Sequence, residues 1–259
     1  MSDNKTAISI KNLVKTWDTH KVLDNISLDI YKGEIFVIMG GSGSGKSTLL
    51  RMMSGGIDPT AGQILFGGQD IHKLTSVEKE KVKRRFGMSF QSSALLDFLT
   101  VEENVSLPLR EHTHLDSKII SIIARMKLNL VGLQGFEQYY PSMLSGGMKK
   151  RVGVARAIAM DPEVVLYDEP TAGLDPVVCS VVDKLIVDLT KKLKLTSIVV
   201  THNMESVWRI ADRVGMVYKG RLLEVGTPDQ IRGSSNGIVQ QFIQGSLEGP
   251  IQINENVPE

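Results

Sequence analysis

Cysteine is almost missing from this 259-residue chain, which carries only Cys179. One thiol builds neither a disulfide framework nor a cysteine metal cluster, and it points to a reducing compartment. No apolar run approaches the ~20 residues that span a bilayer. The first residues, MSDNKTAIS, lack a signal-peptide pattern. These absences predict a soluble chain whose contact with any membrane runs through a partner. An excess of either charge is lacking too, since 30 Lys+Arg stand against 29 Asp+Glu, for a net charge of +1. Nothing here predicts an electrostatic grip on nucleic acid. The short basic runs Lys149-Lys150-Arg151 and Lys191-Lys192 read as solvated helix faces. What the chain does have is 24 glycines and 42% hydrophobic residues, enough for a core, in a length that fits one large α/β domain or two small ones.

Those glycines concentrate where they matter. Gly40–Thr48 reads GGSGSGKST, after the apolar run Ile35–Met39 and before Leu49–Met53. This predicts a strand, a glycine loop and a helix. Gly40, Gly45, Lys46 and Ser47 fit the phosphate-binding pattern G-x-x-x-x-G-K-[ST]. The glycines let successive N–H groups turn inward as an anion nest, and the helix adds its positive dipole end. Lys46 can reach the β- and γ-phosphates of a nucleoside triphosphate, and the Ser47 hydroxyl can bind Mg²⁺.

Elsewhere the pattern alternates between strands and helices. Ala7–Leu13 and Ile26–Ile30 alternate as half-buried strands, with Trp17 between them as a core or lid residue. Gly55-Gly56 stops the helix after the glycine loop, and Gln63–Phe66 is a short strand. Thr75 with Glu78, and Thr100 with Glu103, read as capping boxes. Phe86–Phe90 is a strand with Gln91 at its end, either a loop glutamine or a ligand-facing one. From Ser92 to about Pro141 no strand is predicted, and Leu115–Leu133 has helical spacing. Ser145 caps a helix whose first turn, Gly146-Gly147, exposes backbone N–H groups as an anion site would. Val164–Tyr167 is a buried strand that ends in Asp168 and Glu169. Beside a phosphate loop, that pair reads as a Mg²⁺ ligand and a general base. Asp175-Pro176 opens a helix. Ser197–Thr201 is a strand with His202 at its end. Arg213–Tyr218 and Arg221–Val225 form a hairpin. Ile238–Ile243 is a last helix, and Ser246–Glu259 reads as a loose tail.

Taken in order, these motifs resemble the ATPase subunit of ABC transporters over about residues 7–232. LSGGM at Leu144–Met148 is similar to the family's signature, VVLYDE to its Walker B strand, and Ala172–Asp175 to its D-loop. Gln91 falls at the Q-loop and His202 at the H-loop. Trp17 stands where the family places an adenine-stacking aromatic, although tyrosine or phenylalanine is more usual there. The resemblance implies a RecA-like parallel-sheet α/β core, an N-terminal antiparallel β subdomain, and a helical subdomain inserted at about 92–160. Residues 233–259 would form a C-terminal extension. It implies catalytic roles for Glu169, His202, Gln91 and Lys46, and Mg²⁺ held by Ser47, Gln91 and Asp168. ATP would lie on Trp17, Gly40, Gly41, Ser42, Gly43, Ser44, Gly45, Lys46, Ser47 and Thr48. Head-to-tail dimerisation would bring Ser145, Gly146, Gly147 and Asp175 to the ATP of the partner copy. The helical insertion would carry the motion to transmembrane permease subunits through the groove beside Gln91.

Phe90–Leu109 and the stretch around the signature further resemble the Mla/Mkl-type cassettes, which serve MCE-protein lipid transporters. Pro108 and the methionine after SGG fit that group; Gly41 and the sequence Leu95–Phe98 depart from common forms. This implies an ATP-driven motor for lipid movement across the bacterial envelope, peripheral on the cytoplasmic face of the inner membrane. Its partners would be a second copy of itself, a permease and an MCE-domain lipid-binding protein, with no nucleic acid. Two alternatives stand beside it: another ABC importer or exporter, and a non-transport ABC ATPase.

Overall fold

The computed structural model describes residues 6–252. The chain opens on a hairpin of β1 (Thr6–Trp17) and β2 (His20–Tyr31), then crosses to β3 (Ile35–Met39) and α1 (Lys46–Met53). β4 (Ala61–Phe66) and β5 (Gln69–Asp70) return to the hairpin, and α2 (Ser76–Lys83) leads into β6 (Phe86–Ser89). Three helices follow with no strand among them: α3 (Val101–His112), α4 (Ser117–Leu130) and α5 (Gly146–Ala157). The chain then alternates through β7 (Val164–Asp168), α6 (Pro176–Leu193), β8 (Thr196–Thr201) and α7 (Met204–Ile210). It finishes with β9 (Arg213–Tyr218), β10 (Arg221–Gly226), α8 (Pro228–Arg232) and α9 (Gly237–Gln244).

The strands make two sheets. One is antiparallel, in the order β2-β1-β4-β5; the other has the order β10-β9-β3-β8-β7-β6. In the second sheet β6, β7, β8, β3 and β9 run parallel and β10 pairs antiparallel at one edge. This is the RecA-like core with an N-terminal antiparallel subdomain and an inserted helical subdomain.

A parallel strand buried on both faces sends alternate side chains into different layers. Ile35, Val37 and Met39 join the apolar cluster that reaches the α3–α6 helices, whereas Phe36 and Ile38 join the one beneath α1 and the antiparallel sheet. β7 divides likewise, with Val165 and Tyr167 on one face and Val164 and Leu166 on the other. The central strands are therefore clamped from both sides, so their C-terminal ends are fixed relative to one another.

Several local expectations hold. Both capping boxes form, with Thr75 around Glu78 and Thr100 around Glu103. Asp175 caps α6 by accepting from the N–H groups of Val177 and Val178 at 3.1 and 3.0 Å. Cys179 is a buried residue of α6, 5% exposed.

Three expectations need correction. β1 and β2 run well past the alternating stretches because the hairpin is bulged: register shifts flank Leu13, and Asn12 sits at φ 48. An irregular register breaks the period-two signal without ending the strand. The basic run at 149–151 is not simply a solvated face, since Lys150 is buried at 7% exposure. The stretch from Ser246 to Ile251 is not simply loose. The Gln241 amide holds Ile251 in both directions, accepting from its N–H at 2.6 Å and donating to its carbonyl at 3.1 Å. Residues 253–259 of that tail lie outside the described residues.

One close approach fixes how the helical insertion meets the sheet. A Cβ on Gly87 of β6 would fall 2.1 Å from the Ala157 carbonyl at the end of α5. Gly87→Ala is therefore expected to cost about 1–3 kcal/mol, read as a lowered urea midpoint with an unchanged slope.

Candidate nucleotide site

β3, β7 and β8 lie side by side, so their C-terminal ends open onto one edge, where α/β sheets bind ligands. The chain beyond β3 is the glycine loop. Gly40 has φ 154, and a Cβ there would stand 2.1 Å from the Val217 carbonyl. Gly45 ends the loop at φ 99 as the cap of α1; its Cβ would strike Leu23 Cδ2 at 2.6 Å. Only glycine fits either position. The loop is thus held against β9 on one side and the β1–β2 hairpin on the other.

The side chains that follow converge. Ser47 Oγ donates to Asp168 Oδ1 at 3.0 Å, joining the start of α1 to the end of β7. Lys46 Nζ donates to the Gly41 carbonyl at 2.8 Å, so the lysine folds back over its own loop. Lys46 is 7% exposed, Asp168 6% and Glu169 8%. Burial pulls the Lys46 ammonium below the ordinary lysine range, with Glu169 and Asp168 acting in the opposite sense. Ser44 Oγ is buried and has no partner among the described residues. A cramped glycine cradle, an orphaned hydroxyl and a poorly hydrated ammonium make a fitting receptacle for phosphate oxygens. Ser47 and Asp168 together offer a hydroxyl and one carboxylate, the sparse oxygen set that Mg²⁺ accepts when phosphates complete its shell.

Glu169 is held on every side. Its backbone is left-handed at φ 47, and its N–H donates to the Val200 carbonyl at 2.9 Å. Its carboxylate accepts from Thr201 Oγ1 at 3.2 Å and pairs with His202 Nδ1 at 2.8 Å. A carboxylate fixed in this way can orient and deprotonate a water, and the exposed imidazole can hold it in place.

The remaining expected residues divide into two groups. Gln91 is exposed and lines the open cleft that Asp168 and Gly173 also line. Trp17 is 49% exposed at the end of β1, with Lys15 Nζ 3.9 Å above its ring. Ser145, Gly146 and Gly147 are not among the residues that line the cleft over the glycine loop. Ser145 Oγ instead accepts from Met148 N–H to cap α5, and a Cβ on Gly147 would lie 2.5 Å from Val178. Within one chain the start of α5 therefore stands beside the D-loop and α6.

Sequence reasoning missed Thr201, Lys150 and Arg156. Thr201 could have been found as the last strand residue before His202. Lys150 donates to the carbonyls of Gln91 and Glu169, the latter at 3.3 Å.

Fold and site together define a P-loop nucleoside triphosphatase of the ATP-binding-cassette type. A family model described as ABC transporter matches residues 23–172. The chain is 43% identical over 249 residues to the intermembrane phospholipid transport system ATP-binding protein MlaF of Haemophilus influenzae, covering 96% of this chain and 94% of that one. It is 38% identical over 253 residues to a probable ribonucleotide transport ATP-binding protein, mkl, of Mycobacterium leprae, covering 98% and 73%. A solved dimeric ATP-binding cassette in a post-hydrolysis state bound to ADP and Pi superposes with a TM-score of 0.78 at 31% identity, covering 85% and 98%. The chain belongs to the ATP-binding subunits of ABC transporters and is closely related to the MlaF/Mkl-type cassettes. It is an ATP-hydrolysing subunit.

The buried lysine gives a signed expectation. A lysine whose folded pKa is depressed weakens the fold while it is charged, and this penalty fades as pH rises through the folded pKa toward the ordinary lysine range. Lys46→Met should therefore raise the melting temperature of the nucleotide-free chain at neutral pH, with the gain shrinking at alkaline pH. The same variant should lose the stabilisation conferred by ATP, seen in paired melts with and without nucleotide.

Proposed function

We propose that this chain drives the movement of phospholipid or a related lipid across a bacterial envelope, as one of two identical cassettes beneath a permease. The observation that carries the lipid reading is the 43% identity to a protein named for intermembrane phospholipid transport, extending over 94% of that protein. The likeness to the relatives named for ribonucleotide transport spans less of those chains, at 73%. An MCE-domain lipid-binding protein is the accessory partner that fits this assignment.

In this reading the loop N–H groups and Lys46 bind the β- and γ-phosphates, and Trp17 stacks on adenine. Ser47, Asp168 and Gln91 would hold Mg²⁺, which would supply positive charge to the phosphoryl oxygens. Glu169 takes the proton from the attacking water, and His202 and Thr201 keep its carboxylate aimed. Ser145 and Gly147, with the α5 dipole behind them, face the γ-phosphate bound to the partner copy, and Asp175 lies at the same junction. ATP then favours the closed dimer because only that state adds these contacts. Hydrolysis removes them and the dimer opens.

The output runs through a groove of about 510 Å³ beside the Gln91 loop, lined by Phe90, Leu96, Leu107, Pro108 and His112 among others. It lies between the sheet edge and the helical insertion, so closing the dimer changes its shape. A permease segment seated there would place the chain on the cytoplasmic face of the inner membrane. Among the described residues no helix is long and apolar enough to cross a membrane.

Removing the base should separate binding from chemistry. Glu169→Gln is expected to lower turnover by about 10²–10⁴-fold while ATP still drives a dimer visible by light scattering. A monomer at all ATP concentrations would count against the assigned roles. The substrate is tested by mild-detergent capture of the chain from its own cells, followed by mass spectrometry. A permease, an MCE-domain protein and bound phospholipid are expected. A permease of another type would keep the motor and discard the lipid. Soluble partners alone, from a preparation that retains intact membrane complexes, would point to a non-transport ATPase.

A further inference from the structure

One face of α5 is used in a way that none of the motifs describes. Lys150, Gly153 and Arg156 recur every third residue and so share one side of the helix. That side lies on the chain just after β6. Lys150 donates to the Gln91 carbonyl. Arg156 donates to the carbonyls of Ser93 at 2.6 Å and Ala94 at 2.7 Å. Gly153 lies against the same loop: a Cβ there would make ordinary contact with Ser93 Cβ at 3.4 Å. Ser93 and Ala94 are themselves left-handed, at φ 63 and φ 45. Two consecutive non-glycine residues in that region need an outside restraint, and Arg156 provides it through both carbonyls.

Lys150 differs from Arg156 in reaching a second segment of the chain, with a bond to the Glu169 carbonyl at 3.3 Å. Glu169 is also left-handed, at φ 47. The lysine thus sits where three parts meet: the Gln91 loop, the strand end that carries Glu169, and its own helix. It is buried at 7% exposure. Loss of water pulls its ammonium below the ordinary lysine range, while Glu169 and Asp168 favour the charge. Five residues earlier on the same helix is the cap, Ser145. At 1.5 Å per residue the two are about 8 Å apart along the axis.

We propose that Lys150 is a positioning residue that ties a chain's own nucleotide site to the signature it presents to the partner's ATP. It does so by holding the Gln91 loop and the Glu169 backbone against one rigid helix. The proposal rests on the head-to-tail dimer and on the role of Glu169 given above. A shift at either end is felt at the other, so the influence is mutual. ATP in one site then prepares α5 for the second site.

The test uses the full chain with Lys150→Met, Lys150→Arg and, as a control on the same helix, Lys149→Met. Loss of a charge-assisted hydrogen bond in a buried site predicts that Lys150→Met lowers kcat about 10-fold or more. ATP binding to the isolated monomer should stay within about twofold, because the phosphate loop is untouched, while KM rises with the ATP needed to close the dimer. Lys150→Arg should recover most of the rate, and Lys149→Met should match the wild type. The decisive readout places Lys150→Met on the Glu169→Gln background and measures the ATP needed to form the dimer. That requirement should rise about 10-fold, with each monomer still binding ATP as before. If Lys150→Met fails to fold, Lys150→Gln, which keeps a donor, carries the same measurements. A Lys150 variant with wild-type kcat and an unaltered ATP requirement overturns the proposal. So does a variant whose only change is a lower melting temperature. A Glu169→Gln protein that never dimerises with ATP overturns instead the reading on which the proposal rests.

Discussion

Bringing two carboxylates and an ammonium together out of water is the constraint on which this structure turns. Lys46, Asp168 and Glu169 are each at most 8% exposed. Buried charges are tolerated only when they are paired or hydrogen-bonded. The fold meets this demand by placing three parallel strands next to one another, so that their ends deliver the charged groups to the same few ångströms. Ser47 satisfies Asp168, the loop carbonyl of Gly41 satisfies Lys46, and Thr201 with His202 satisfies Glu169. The apolar layers on both faces of the sheet keep these ends in register. The glycine loop, squeezed between β9 and the hairpin, closes the arrangement from above.

How much of this could be read from the sequence depended on the range of the interaction. Caps and turns are local, and Thr75, Thr100, Ser145 and Asp175 announce themselves within three residues. The buried strands are nearly as plain, because a run such as Val164–Tyr167 is apolar on both faces. The site followed from the order of strand-end polar residues, and the order of motifs also pointed to the family. The hairpin was harder, since its bulges erase the alternation that marks a strand. Lys150 was not legible at all. A basic run shows charge but not which member turns inward, and the Gln91 and Glu169 carbonyls that receive it are 59 and 19 residues away. The return of Ile251 to Gln241 hid for the same reason: an amide that binds backbone leaves no pattern.

The arrangement of α5 also explains why Ser145, Gly146, Gly147 and Asp175, expected to contact nucleotide, lie away from the glycine loop. Gly146 and Gly147 pack beside Leu174 and Val178, so signature and D-loop form one surface. A single chain thus carries two incomplete half-sites facing different ways. In the reading proposed above, the pieces that complete each are supplied by a second copy, which would make hydrolysis depend on assembly. The helical insertion holds its half through Lys150 and Arg156, and the sheet edge holds the other.

Cys179 has a practical consequence. The only thiol in the chain is 5% exposed, directed at the carbonyls of Thr171 and Leu174, and burial with Asp183 nearby keeps it protonated. Maleimides react with thiolates, so the native protein should be silent to them without any cysteine being removed. A cysteine introduced at an exposed place such as Ser142 would then take a spin label or a fluorophore alone. Two copies of the same labelled chain would report the distance across their junction directly, in an otherwise unaltered background.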